Sequence, residues 1–233
     1  MTRRLSIFSG VLGAALAILV IAVAISTKSG NDAARPRRPA TRDVTRILRG
    51  IPQNGLVLGR ADAPVLLVEF ADLQCPYCRE FAATSWPDIV QRYVRTGKVR
   101  MELRLTDVLG RDSAKANTAV MAAERQDRMW DASMRFYDVQ GQENSGYVTQ
   151  PFLRGVLSGI HGIDLAQALK DERSPTIRDD LAAVHSLMSR YAVTSTPTIL
   201  IGTDTNDLSL LSAGVPSADK LAQAINEQLL KTI

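Results

Sequence analysis

The chain has 233 residues, 45% hydrophobic and 22% charged, which fits one substantial globular domain with appendages. Its net charge of +4 comes from one end: nine of the 28 Lys/Arg and two of the 24 Asp/Glu lie before residue 51. Residues 51–233 therefore hold 19 basic against 22 acidic side chains, which argues against a nucleic-acid-binding domain.

From Leu5 to Thr27 no charged residue occurs. As a helix this stretch would run roughly 34 Å, enough for a hydrocarbon core of about 30 Å. Residues 1–27 are thus expected to be a transmembrane anchor or a signal segment, Ala22-Val23-Ala24 offering a small-x-small cleavage site. Either outcome exports the rest of the chain. Against this, Lys28, Arg35, Arg37 and Arg38 after the segment outnumber Arg3 and Arg4 before it, and a literal positive-inside count would reverse the orientation. Those arginines begin some distance beyond the apolar run, so export remains the expectation. Residues 28–50 read as an Arg/Pro-rich linker, with a short helix starting near 43 and running to about 52.

Residues 51–233 form the expected folded domain. Pro64–Phe70 is a continuous apolar run, as in a strand buried on both faces. From Cys78 to Thr96, apolar residues recur at three- and four-residue steps, predicting a helix that Pro87 kinks. Val99, Met101, Leu103 and Leu105 alternate with polar residues, predicting a second strand. Residues 111–190 are helical in pattern. Strand character returns at 198–201 and 208–213, and Ser217 caps a final amphipathic helix. The order is strand–helix–strand, a helical block, then strand–strand–helix: an α/β fold of thioredoxin-like topology with a helical domain inserted between its βαβ and ββα halves.

The chain has two cysteines, Cys75 and Cys78, three positions apart. A disulfide between them closes almost no loop and stabilises the fold little, so its use is chemical. In Cys75-Pro76-Tyr77-Cys78 a strand has ended and a helix begins. Free N–H groups at a helix start favour a thiolate, and Pro76 suits the first turn, where an N–H has no use. Cys75 is then the attacking, more exposed sulfur and Cys78 the resolving one. A zinc site needs about four ligands, and His161 and His185 are the chain's only histidines; both read as surface or packing residues. Trp86, Tyr93 and Trp130 read as packing.

Val68-Glu69-Phe70-Ala71-Asp72-Leu73-Gln74-Cys75-Pro76-Tyr77-Cys78, together with Val193-Thr194-Ser195-Thr196-Pro197-Thr198, resembles the DsbA-like branch of the thioredoxin superfamily, in particular its anchored bacterial-envelope members. The resemblance spans about residues 50–230. It implies that Pro197 is a cis-proline opposite Cys75 and that Thr196, with Pro76 and Tyr77, binds an extended substrate. It also implies that Glu69 is a buried acid exchanging protons with Cys78. A carboxylate reaching the surface at the strand end is the other reading of Glu69.

The implied activity is a protein thiol:disulfide oxidoreductase with no cofactor beyond the Cys75–Cys78 disulfide. It would oxidise cysteine-containing exported proteins, and a quinone-linked membrane partner would reoxidise it. A reductase or isomerase would use the same residues in reverse, with potentials differing by about 150 mV. A redox-inert binding protein on the same fold stays open. Cys-Pro-Tyr-Cys is also a glutaredoxin motif, but the leader and the helical block speak against that.

Overall fold

The computed structural model describes residues 41–232. The leader segment, most of the Arg/Pro-rich linker, and with them the expected anchor or signal segment and its orientation, lie outside the described residues. Among those described, no helix is long and apolar enough to cross a membrane.

A six-stranded sheet in the order β1-β2-β4-β3-β5-β6 organises the chain. Its central strand β3 (Val65–Ala71) runs parallel to β4 (Val99–Leu105) on one side and antiparallel to β5 (Thr198–Gly202) on the other. All seven β3 residues are buried, because both neighbours and both faces are covered. Successive side chains point to opposite faces. Val65, Leu67 and Ala71 join the main core, whereas Leu66, Val68 and Phe70 join a second cluster with Val184, Val193 and Leu200. The same alternation puts Glu69 on the main-core face. β6 (Ser209–Ala213) pairs antiparallel to β5 and closes one edge.

At the other edge, β1 (Gln53–Asn54) and β2 (Val57–Leu58) form a hairpin, and β2 pairs with β4. No strand is predicted here in the sequence analysis above. Asn54-Gly55 is a strong hairpin signal, and Gly55 adopts a φ of 56° to make the turn. Ahead of it α1 (Thr41–Leu48) starts and stops earlier than the 43–52 expected. Gly50, at φ 75°, and Pro52 prevent its continuation.

The helix at the cysteines starts at Pro76, where the Cys75–Cys78 turn was expected to open it, but it comes in three pieces: α2 (Pro76–Thr84), α3 (Trp86–Ile89) and a π-helical turn, Val90–Val94. Pro87 has no N–H to give the preceding turn and its ring crowds the carbonyl of Ala83. The break falls at Ser85, whose hydroxyl donates to the Pro216 carbonyl (2.6 Å). Trp86 is fully buried and stacks on Trp130, the ring centroids 6.1 Å apart and 16° from parallel.

Between β4 and β5 come five helices: α4 (Arg111–Glu124), α5 (Met129–Asp138), α6 (Gln150–Ser158), α7 (Leu165–Asp171) and α8 (Pro175–Arg190). Thr149 and Asp164 cap α6 and α7 by accepting from Phe152 and Gln167 N–H groups. Ser217 likewise caps the last helix, α9 (Ala218–Leu230), through the Lys220 N–H. α5 packs on α2, so the insertion forms one wall of the region beneath the cysteines.

Candidate active site

β3 ends at Ala71, and the next three residues turn the chain so that Cys75 occupies the N-cap of α2 with Pro76 as the first helical residue. The Cys75 N–H donates to the Asp72 carbonyl (3.0 Å) and closes the turn. Side chains from the insertion hold it there. Fully buried Asp72 accepts from the Gln74 N–H (2.8 Å), the Ser113 hydroxyl (2.7 Å) and the Leu109 N–H (3.0 Å). Burial raises its pKa despite these three bonds. Gln140, just past α5, donates one Nε2 to both the Leu73 carbonyl (2.7 Å) and the Cys75 carbonyl (3.1 Å). Gln74 donates to Ser113 (2.9 Å) and accepts from the Asn144 N–H (2.8 Å). Sequence reasoning missed this network. Its one readable trace was Asp72 and Gln74, polar residues directly after an apolar strand.

The two sulfurs sit in different surroundings. Cys75 is 4% exposed and Cys78 not at all. The Cys75 thiol is pulled down to about 6, chiefly by a hydrogen bond from the Cys78 thiol and against the opposing effect of burial. The Thr196 side chain and the Cys78 and Tyr77 N–H groups add to the effect. Those N–H groups face the sulfur from the first helical turn, although neither makes a full capping bond. In its protonated form Cys75 donates to the Thr196 carbonyl (3.3 Å), a bond that the thiolate gives up. Cys78 is pushed well above its ordinary value, first by burial, then by Cys75 and by the Glu69 charge.

Glu69 is 1% exposed and does not reach the surface. Its Oε2 has no hydrogen-bond partner, and burial pushes its carboxyl up to about 8. At neutral pH it holds its proton beneath the cysteine pair. Across from Cys75, the Thr196–Pro197 peptide is cis, Thr196 is half-buried, and Pro197 is buried with its carbonyl accepting from Gly214 (2.7 Å). Pro76 is exposed, and Tyr77 is 61% exposed at the rim. The structure therefore brings together Cys75, Cys78, Glu69, Pro76, Tyr77, Thr196 and Pro197. His161 and His185 are exposed, the latter bonded to Asp107 (2.8 Å). Clefts of about 580 and 430 Å³ lie beside Arg60 and Arg49, and neither is lined by a cysteine.

Residues 52–215 match the family model described as thioredoxin. The chain belongs to the thioredoxin family. Within the family, this thioredoxin-family protein falls among the DsbA-like thiol:disulfide oxidoreductases. It is 28% identical over 178 residues to a probable disulfide bond formation protein D of Bacillus anthracis, covering 75% of this chain and 78% of the relative. Its fold matches that of oxidised BdbD from Bacillus subtilis with a TM-score of 0.67 at 22% identity, over 77% of this chain and 97% of the other. Wolbachia pipientis alpha-DsbA1 matches with a TM-score of 0.64 at 19% identity, over 76% and 92% of the two chains.

Proposed function

We propose that this thioredoxin-family protein is an extracytoplasmic dithiol oxidase that introduces disulfides into exported proteins through Cys75 and Cys78. The observation that carries the reading is the split between the sulfurs: one ionises near 6, and the other stays a thiol far above neutrality.

A client thiolate attacks Cys75 Sγ of the disulfide, and Cys78 leaves with the electron pair and takes a proton. A second client thiolate then attacks the client sulfur of the mixed disulfide, and Cys75 leaves as a thiolate. The client loses two electrons and the site gains them. Cys75 is suited to leave because its anion is stabilised, and departure is faster the lower the leaving thiol's pKa. Glu69, protonated near neutrality, is placed to protonate Cys78. Exposed Tyr77 provides an apolar rim beside Cys75, and the Thr196 backbone can pair with an extended segment. The leading uncharged run from Leu5 to Thr27 supports export, and a quinone-linked membrane partner would complete the cycle.

The ionised fraction also sets a direction. At pH 7 about nine-tenths of reduced Cys75 is thiolate, which stabilises the reduced form by about 1.4 kcal/mol relative to an ordinary thiol, or roughly 30 mV. That is a fifth of the roughly 150 mV separating oxidases from thioredoxin, so an oxidase potential would need further stabilisation of the reduced form. The test is the redox equilibrium of the purified protein against glutathione. An oxidase gives a potential well above the ~−270 mV of thioredoxin; a value at or below it assigns the protein to reduction.

A further inference from the structure

The alternation of β4 puts Glu102 and Arg104 on the sheet face that carries Val68 and Phe70, their partners in register on β3. Polar residues on one side of a strand usually face water, but here α8 packs over that side. Glu102 is 6% exposed and forms an ion pair with half-buried Arg104. Such a pair does little for stability, because desolvation of both charges offsets their attraction, and apolar side chains of the same size would pack at least as well. The pair borders unfilled space. A cavity of about 150 Å³, with room for roughly five waters, is lined by Val68, Phe70, Leu187 and Leu208 and by the charges of Glu102, Arg104 and Arg190. Arg190 is exposed at the end of α8, so the cavity opens to solvent there. Its guanidinium lies over the Tyr191 ring, 5.4 Å from the centroid, and makes no ion pair among the described residues. Asp180, whose charge also reaches Arg104, is held by Arg125 (2.8 Å).

We propose that this cavity binds a short-chain monocarboxylate, with the carboxylate on Arg104 and Arg190 and the hydrocarbon part against Val68, Phe70, Leu187 and Leu208. The charge sets the valence. One carboxylate and two guanidinium groups leave a single positive charge unmatched, which a monoanion neutralises and a phosphate dianion exceeds. Shape and polarity set the rest. A guanidinium presents paired N–H donors that match a carboxylate, and the four apolar side chains offer an inorganic anion nothing to bond. Val68 and Phe70 flank Glu69 on β3 but point to the opposite face. The ligand therefore does not meet the sulfurs, and its binding does not depend on disulfide exchange.

The test titrates butyrate against the full chain by saturation-transfer NMR, with butyramide and inorganic phosphate as controls. Butyrate should bind with a Kd on the order of 1 mM. Butyramide, which keeps the shape without the charge, should bind about tenfold more weakly, and phosphate should not compete. Arg190→Gln should weaken butyrate about tenfold with the fold intact, since Arg190 is exposed. Replacing the ion pair as a unit, Glu102→Met with Arg104→Met, should abolish butyrate binding while leaving the melting temperature unchanged or higher. No saturable butyrate binding overturns the proposal. So does equal affinity for butyramide, which would make the cavity merely apolar, or competition by phosphate, which would make it a general anion site. Undiminished binding in Arg190→Gln or in the paired methionine variant overturns it as well. If the methionine pair lowers the melting temperature, the two charges are structural and the premise fails.

Discussion

Replacing Cys78 by alanine isolates the largest influence on Cys75. The hydrogen bond from the Cys78 thiol is the chief reason that the Cys75 thiol ionises at about 6. A hydrogen bond to a charged group is worth about 1.5–3 kcal/mol, or about one to two pKa units. The Cys78→Ala variant should therefore show a Cys75 midpoint of about 7–8, whereas Cys78→Ser, which keeps a donor, should stay closer to wild type. The shape of the pH profile matters more than the absolute rate. At pH 7 Cys75 is about nine-tenths ionised against about 3% for an ordinary thiol, but its intrinsic nucleophilicity falls about tenfold with its basicity. The net gain in rate is only about threefold. Iodoacetamide alkylation from pH 4 to 10, read by mass spectrometry, reports Cys75 alone in the alanine variant, because the chain has two cysteines. A wild-type midpoint at 8 or above would refute the site's electrostatics; a midpoint of 6 surviving in Cys78→Ala would refute the assigned cause.

Glu69→Gln tests the buried carboxyl through stability. The folded state keeps a proton up to about pH 8, and the unfolded chain releases it near 4.3. The stabilisation is complete below the unfolded value and lost as pH rises through the folded one, by roughly 5 kcal/mol in all. Relative to wild type, the glutamine variant should gain stability from pH 5 to 8 and level off above; a constant offset in urea melts at pH 5, 7 and 9 would exclude it. Gln140→Ala leaves the Leu73 and Cys75 carbonyls without their donor. The expected loss is about 1–3 kcal/mol, a fall in melting temperature of roughly 2–10 °C by calorimetry, and an unchanged temperature would show that water replaces the amide.

How much was legible in the sequence depended on whether a feature is local. Period-two alternation announced β4, and a continuous apolar run announced β3, since burial on one or both faces leaves its mark on neighbouring residues. Cys75 and Cys78 were legible for the same reason: four consecutive residues at one helix start hold the chemistry. The clamp on Cys75 was not. Gln140 is 65 residues from the carbonyl that it holds, Ser113 is 41 from Asp72, and nothing local marks either as a partner. Glu69 was half legible. Its place in an apolar run signalled expense, but whether the carboxyl reached water depended on β4, β5 and α2 closing round it.

The division of labour between the sulfurs follows from where each falls in one helical turn. Burial raises both pKa values, so burial alone would make two inert thiols. At the N-cap, Cys75 faces the open N–H groups of the first turn and the donor three residues on. Cys78 has already entered the helix and turns into the main core, where the groups near it are the other sulfur and a carboxyl. A separation of three residues thus does two things at once. It brings the sulfurs to one face so that they can bond, and it places them on opposite sides of the boundary where unsatisfied helix donors end and apolar packing begins. A shorter spacing would leave both sulfurs among the free donors, and a longer one would carry the second out of reach of the first. The Gln140 and Asp72 clamps matter because that boundary is only one turn deep: moving the turn by a residue would take Cys75 off the N-cap and weaken the asymmetry on which the exchange depends.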